Sequence, residues 1–207
     1  RIDLRERPQA MGDIISDSSL DTLFRLARTP RAWLDKPVSD VQLRAIYDLM
    51  RMAPTSMNSS PARIVFAHSQ EARDRLAECV MEGNVERVRK AGAVAIIGED
   101  TAFYERLPEL FPPMPEARDL FAGNPELART TAFRNSTLQG AYLIMAARAL
   151  GLDCGPMSGF DAEKVDAAFF AGTTIRANFI CALGYGDDSA LHPRLPRLSF
   201  EDACKIL

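Results

Sequence analysis

Two loops of this chain pair arginine with proline: Arg28-Thr29-Pro30-Arg31 near its beginning and Arg194-Leu195-Pro196-Arg197 near its end. A guanidinium binds phosphate oxygens through paired, charge-assisted hydrogen bonds, each worth roughly 1.5–3 kcal/mol. Any one such arginine is more often a solvated surface side chain. Two loops of this kind in one chain make a terminal phosphate a more credible ligand. Between them lies Pro54-Thr55-Ser56-Met57-Asn58-Ser59-Ser60-Pro61, whose hydroxyls and amides can donate to and accept from a polar ligand.

Other chemistries fail on their own residues. Ser158 comes nearest to a nucleophile elbow, but Pro156 and Met157 stand in the wrong places for Gly-x-Ser-x-Gly. His68 and His192 are the only imidazoles and lack metal-ligand spacing, so no metal is expected. Neither a Gly-x-Gly-x-x-Gly turn after a strand nor a Walker A motif occurs. The adjacent carboxylates Glu99-Asp100 and Asp187-Asp188 read as solvated loops. Cys79, Cys154, Cys181 and Cys204 form no C-x-x-C and read as buried free thiols of a reducing compartment. Lys and Arg total 25 against 28 Asp and Glu, a net charge of −3 that gives no basic excess for nucleic acid. Apolar runs are short, as in Ala141 to Ala147 before Arg148, and the first 20 residues show no signal-peptide core. The chain is therefore expected in the cytoplasm, without a membrane or nucleic-acid partner.

At 207 residues the chain is long enough to bury a core without disulfides. Residues 1–10 are polar and aperiodic and read as a disordered tail or an expression remnant, with a single domain over 11–207. Ser19 before Leu20, Leu23, Phe24 and Ala27 predicts a capped helix. Ser39 with Gln42 forms a capping box, Val38 can staple onto Leu43, and Pro54 ends that helix. A short strand over 64–67 precedes a third helix, capped by Ser69 and running to about Gly83. Val94 to Ile97 reads as a buried strand. The stretch 99–123, rich in aromatics and prolines, reads as irregular with room for one helix. Asn124-Pro125 opens a helix to Leu150 whose second half is apolar nearly all round, the mark of a central or interfacial helix. Strands near 152–155 and 179–183 flank a helix capped by Asp161, and Ser199 caps a last short segment. Helices outweigh short scattered strands, which predicts an α+β fold: a small central, mostly antiparallel sheet wrapped by helices.

Taken in order, Arg28-Thr-Pro-Arg31, Pro54 to Pro61, Gly83-Asn84, Gly151 to Phe160, Gly184-Tyr-Gly186 and Arg197 resemble the nitroreductase family over nearly the whole chain from Leu20. Phe103 to Pro108, Ala132 to Ser136, Gly155 to Asp161 and Arg194 to Glu201 are similar to the branch that reduces malonic semialdehyde to 3-hydroxypropanoate. The resemblance implies a nitroreductase-like fold in an intertwined homodimer, FMN as cofactor, and NADPH or NADH as hydride donor. Hydride would pass in ping-pong fashion through the flavin to a small acceptor. It also implies that Arg28 and Arg197, with Arg194 nearby, bind the FMN phosphate, and that Thr29 helps hold the ribityl-phosphate. Arg31 would lie by the pyrimidine side of the flavin. Thr55, Ser56, Asn58 and Ser60 would reach the flavin of the other subunit. Asn84 would bond the ring's polar edge with Arg87 near it, and Ser158 and Gly159 would offer backbone N–H groups near N5 and O4. No side chain is expected to act as the catalytic group, since the flavin carries the hydride.

One departure bears on the acceptor. Broad nitroreductases often carry Glu at the Ser158 position and an aromatic after the second proline of the loop, where Ala62-Arg63 stands here. This favours a small polar acceptor. A carboxylate on it needs a cation, for which Arg63, Arg106 and Arg134 are the candidates. The alternatives are a broad reductase of nitro compounds or quinones, and a non-catalytic flavin-binding dimer.

Overall fold

The computed structural model describes residues 13–207, so the expected tail over 1–10 lies outside the described residues. The first helix, α1 (Asp17–Leu20), continues into a π turn over Asp21–Arg25. Its cap is Ser16, which accepts from the Ser19 backbone N–H, three residues ahead of the expected cap. Helix α2 (Asp40–Met50) starts on the expected capping box, with Ser39 and Gln42 bonding reciprocally, and Val38 and Leu43 are both buried beside it.

Strand β1 (Ala62–Ala67) leads into α3 (Gln70–Ala77), capped by Ser69. The expected third helix does not run on to Gly83. It stops, and a separate helix α4 (Glu82–Lys90) carries Gly83 and Asn84. The break has a long-range cause: Val80 bridges Phe160, the Met81 N–H donates to the Gly159 carbonyl at 3.0 Å, and the Asp161 N–H donates to the Cys79 carbonyl at 2.8 Å.

Strand β2 (Ala93–Asp100) is buried over all but its last residue. The segment after it is more helical than expected, with a 3-10 turn over Phe103–Arg106, α5 (Leu107–Leu110) and α6 (Ala117–Ala122). Helix α7 (Pro125–Ala149) follows its Asn124 cap, and then come β3 (Asp153–Met157), α8 (Ala162–Phe169), β4 (Ile175–Gly184) and α9 (Phe200–Ala203).

The sheet has the order β1-β2-β4-β3 with every pair antiparallel. Side chains alternate across it, as the two-residue period of a strand requires. Ala93, Ala95, Ile97, Cys181 and Leu183 face α2 and α7, in a cluster with Leu43, Ile46, Leu143 and Ala147. Val94, Ile96, Ile180 and Ala182 face the other side, with Leu76, Val88 and Val165 of α3, α4 and α8. Helix α7 comes close to the sheet at Gly140, where a β-carbon would sit 2.4 Å from Phe179.

Helix α7 leaves Phe133, Leu138 and Tyr142 exposed in the single chain. Two expectations about burial are corrected. Glu99 is not a solvated loop residue but a buried one in β2, and Asp100 beside it pairs with Arg63. Of the four thiols, Cys79, Cys154 and Cys181 are buried and Cys204 is exposed.

Candidate functional site

The two arginine loops meet. Arg28, Thr29, Arg31, Arg194 and Arg197 line one cleft of about 280 Å³, together with Arg148 and His192. No carboxylate is among the described residues lining it. The first loop is pinned to the end of β4 by a short antiparallel bridge between Trp33 and Gly186. Leu34 N–H donates to the Tyr185 carbonyl at 2.8 Å and Asp187 N–H to the Ala32 carbonyl at 3.0 Å. Gly186 must be small, because a β-carbon there would lie 2.8 Å from Pro30. The second loop is held by Arg194, which donates to the carbonyls of Arg25 at 2.9 Å and Ala27 at 3.1 Å.

Two members of the cleft escaped sequence reasoning. Arg148 enters from the last turn of α7 and donates to the Leu23 carbonyl at 2.9 Å, while its Nε is buried without a partner. A charged residue closing an apolar helix was the available signal. His192 accepts from Arg28 through its backbone carbonyl and meets Arg31 through Nε2.

A second group adjoins the first through Trp33, whose Nε1 donates to the Arg87 carbonyl at 3.0 Å. Asn84 and Arg87 lie three residues apart on α4 and so share a face. The Arg87 guanidinium has buried Nε and Nη2 atoms with no hydrogen-bond partner. Burial, and then the like charge of Arg31, draw it below the ordinary value for arginine. Asn84 Nδ2 donates to the Gly159 carbonyl at 3.0 Å, and a β-carbon on Gly159 would come within 2.7 Å of that nitrogen. Ser158, next to it, is exposed.

The hydroxyl-rich loop stands apart from both groups within one chain. It precedes β1, whose Ala62 pairs with Glu99, whereas the arginine end of the sheet is where Ala93 pairs with Leu183. Six residues of strand, about 20 Å, separate the two ends. Met57, Asn58 and Ser60 hold positive φ values of 53°, 51° and 42°, a concentration of backbone strain typical of ligand-contacting loops. The loop is fixed by Ser56 N–H donating to Asn135 Oδ1 at 2.8 Å and by Ser60 N–H donating to Thr55 Oγ1 at 3.1 Å. Asn58 Nδ2 donates to the Leu110 carbonyl at 2.8 Å.

Arg63 and Arg106 share a cavity of about 610 Å³ with Arg51 and Ser60. Arg63 is paired with Asp100 at 2.7 Å, and Arg106 makes an exposed pair with Glu109 at 2.7 Å. Arg134 does not join them; it lies exposed on α7.

An all-antiparallel four-stranded sheet between helical layers, with arginine loops meeting at one end and a strained polar loop at the other, is the frame of a family. The nitroreductase family model matches residues 25–186, and the chain belongs to that family. The Ralstonia pickettii protein named "Putative NADH dehydrogenase/NAD(P)H nitroreductase HadB" is 62% identical over 191 residues, covering 91% of this chain and 97% of that one. Among solved structures, the Bacillus subtilis protein ydfN superposes with a TM-score of 0.80 at 19% identity, covering 92% of this chain and 99% of that one. A protein of Exiguobacterium sibiricum 255-15 solved in complex with FMN superposes with a TM-score of 0.79 at 20% identity, covering 95% and 100%. At such identities these two likenesses concern the fold, which is the expected nitroreductase-like α+β fold. Among the described residues no helix is long and apolar enough to cross a membrane, and no cluster of potential metal ligands occurs.

Proposed function

We propose that the protein is an FMN-dependent NAD(P)H oxidoreductase that acts as a homodimer. The observation that carries this reading is the pair of adjoining cationic sites. One is a cleft of five arginines with no carboxylate among the described residues lining it, and the other is the Arg87 guanidinium with buried, unpartnered nitrogens. An unpaired buried cation is costly, and an anionic or acceptor-rich ligand relieves that cost. FMN has both parts: a phosphate suited to Arg28, Arg31, Arg148, Arg194 and Arg197, and a ring with an acceptor edge suited to Arg87. Thr29, on the same cleft, would help hold the ribityl-phosphate, and Asn84 with the backbone N–H groups of Ser158 and Gly159 would hold the ring's other polar positions. FMN supplies two-electron chemistry between NAD(P)H and an acceptor, so no side-chain nucleophile or metal is needed.

The chain's own residues then bind, orient and stabilise. Arg87 and Arg31 favour negative charge on the ring's pyrimidine side. Bound there, FMN would let the donor and the acceptor use one site in turn. Thr55, Ser56, Asn58 and Ser60 belong to a second copy's site, which fits their distance from the arginines of their own chain. The exposed apolar side chains Phe133, Leu138 and Tyr142 of α7 suit burial between the two copies. The chain's four unpaired thiols suit a reducing compartment, the cytoplasm.

The acceptor on this reading is a small carboxylated aldehyde, malonic semialdehyde. Arg63 and Arg106 lie on one cavity beside the polar loop, with Arg51 as a third guanidinium there. The test is a panel of acceptors under anaerobic NADPH and NADH: malonic semialdehyde, an uncharged aldehyde of equal length, a quinone and a nitroaromatic. Malonic semialdehyde should show the highest kcat/KM, and Arg106→Ala or Arg63→Ala should raise its KM selectively. Equal effects on charged and neutral acceptors would instead make the protein a general nitro or quinone reductase.

A further inference from the structure

We propose that Asn135 and Gln139 of α7 are positioning residues for flavin binding. Their amide oxygens clamp the two ends of the strained loop between Ser56 and Ala62, and so aim its polar groups at the flavin of a second copy, a role that rests on the FMN reading and its site shared between two copies.

Thr131, Asn135, Gln139 and Leu143 follow one another at four-residue spacing and share one face of α7. Leu143 packs into the apolar cluster of α2 and the sheet. Asn135 and Gln139 are polar, yet each is only 3% exposed. A buried amide is costly unless it is hydrogen-bonded, so its partners account for its presence. Asn135 Oδ1 accepts from the Ser56 backbone N–H at 2.8 Å, and Gln139 Oε1 accepts from the Ala62 backbone N–H at 2.9 Å. Asn135 Nδ2 donates to the Thr131 carbonyl at 2.8 Å, which fixes the way its amide faces. The Asp100 N–H donates to the Pro61 carbonyl, so in the antiparallel ladder the Ala62 N–H points away from β2, and Gln139 supplies its acceptor.

Four residues of helix rise about 6 Å. Anchors that close hold the ends of a stretch that would span about 20 Å if extended. The stretch is folded back, and it takes that shape through Met57, Asn58 and Ser60 at positive φ. Residues other than glycine keep such angles only where their surroundings fix them. Inside the loop, Asn58 is tied to the Leu110 carbonyl and the Ser60 N–H to Thr55 Oγ1. The clamp from α7 fixes where the loop begins and ends. On the FMN reading the arginine cleft takes the phosphate, so the loop meets the ribityl chain and ring of the second copy's flavin. Asn135 and Gln139 act through the loop and touch no ligand themselves.

Flavin-free protein is titrated with FMN and with riboflavin, following the quenching of flavin fluorescence. Gln139→Met and Asn135→Leu remove an acceptor at similar side-chain size, and Gln139→Glu keeps an acceptor for the Ala62 N–H. Each of the first two should weaken FMN and riboflavin alike by about tenfold, the scale of one lost hydrogen bond. Gln139→Glu should bind both like the unaltered chain. The Gln139→Met chain is also co-expressed with an Arg197→Ala chain under a second affinity tag, and mixed dimers are isolated through both tags. One site of the mixed dimer combines intact arginines with an intact loop, and that site should bind FMN with the unaltered affinity. A general defect of the Gln139→Met chain would weaken that site as well. Unaltered affinity in Gln139→Met and Asn135→Leu, equal weakening in Gln139→Glu, weakening confined to FMN, or a mixed dimer without a site of unaltered affinity would overturn the clamp and leave the FMN reading standing. An unaltered chain that binds neither flavin would overturn the FMN reading and the clamp with it.

Discussion

A β-carbon on Gly155 would lie 3.1 Å from Nη2 of Arg87. The same atom would be 3.5 Å from the Trp33 ring, so glycine here leaves the guanidinium its place beside the indole. Gly155→Val should displace Arg87 and weaken FMN binding by roughly tenfold or more, the scale of one charge-assisted bond. Arg87→Met should also lose flavin, yet leave the flavin-free protein as stable or more so, because it removes an unpaired buried cation. Flavin fluorescence quenching and thermal melts of the two variants measure this. Full flavin affinity in both would detach Arg87 from the site.

A packing prediction concerns α7. Gly140 faces Phe179 so closely that a β-carbon would stand 2.4 Å from Cζ and 2.6 Å from Cε1. Gly140→Ala gains helix propensity but overpacks the core, and overpacking costs about 1–3 kcal/mol. A loss near the middle of that range lowers Tm by several degrees in a chain of this size. A rise in Tm would show that Phe179 yields without cost.

Glu99 gives a pH prediction. Its side chain is buried with Oε2 unpartnered, and burial pushes its carboxyl above the usual range, partly offset by Arg129. An acid raised in the folded state holds its proton after the unfolded chain has released it. Stability therefore falls as pH rises from the unfolded value through the raised folded one. Glu99→Gln should remove this slope and melt higher than the unaltered chain at neutral pH, while the two converge in acid. Parallel melting curves at every pH would contradict the assignment.

How much of this was legible in the sequence depended on whether the cause was local. The Ser39–Gln42 capping box, the Asn124-Pro125 start of α7 and the Asp161 cap are local chemistry and stand where they were read. The break between α3 and α4 was not legible, because Val80 and Met81 are drawn off the helix by Phe160 and Gly159, about 80 residues away in sequence. The arginine loops announced themselves by composition. Trp33, Arg148 and His192 did not, since their place beside those loops depends on the end of β4, the last turn of α7 and the path of the C-terminal segment. Glu99 misled for the same reason: two adjacent acids look solvated until a central strand carries one of them inward.

Assembly is tested on the exposed side of α7. Leu138 and Tyr142 are 46% and 44% exposed in the single chain, and an obligate interface of more than about 2,000 Å² would cover them. Leu138→Glu should shift the protein toward monomer in light scattering at micromolar concentration and lose flavin in parallel. A monomeric unaltered protein that retains flavin would contradict a shared site.

The central claim is that this chain holds FMN and takes hydride from a nicotinamide nucleotide. It is tested most directly by the visible spectrum of the purified protein under anaerobic NADPH or NADH. The protein should be yellow, with one FMN released per chain on denaturation. Its flavin absorbance should bleach on adding the nucleotide and return on adding an acceptor. A colourless protein that takes up no FMN, or a yellow one that neither nucleotide bleaches, would contradict the account.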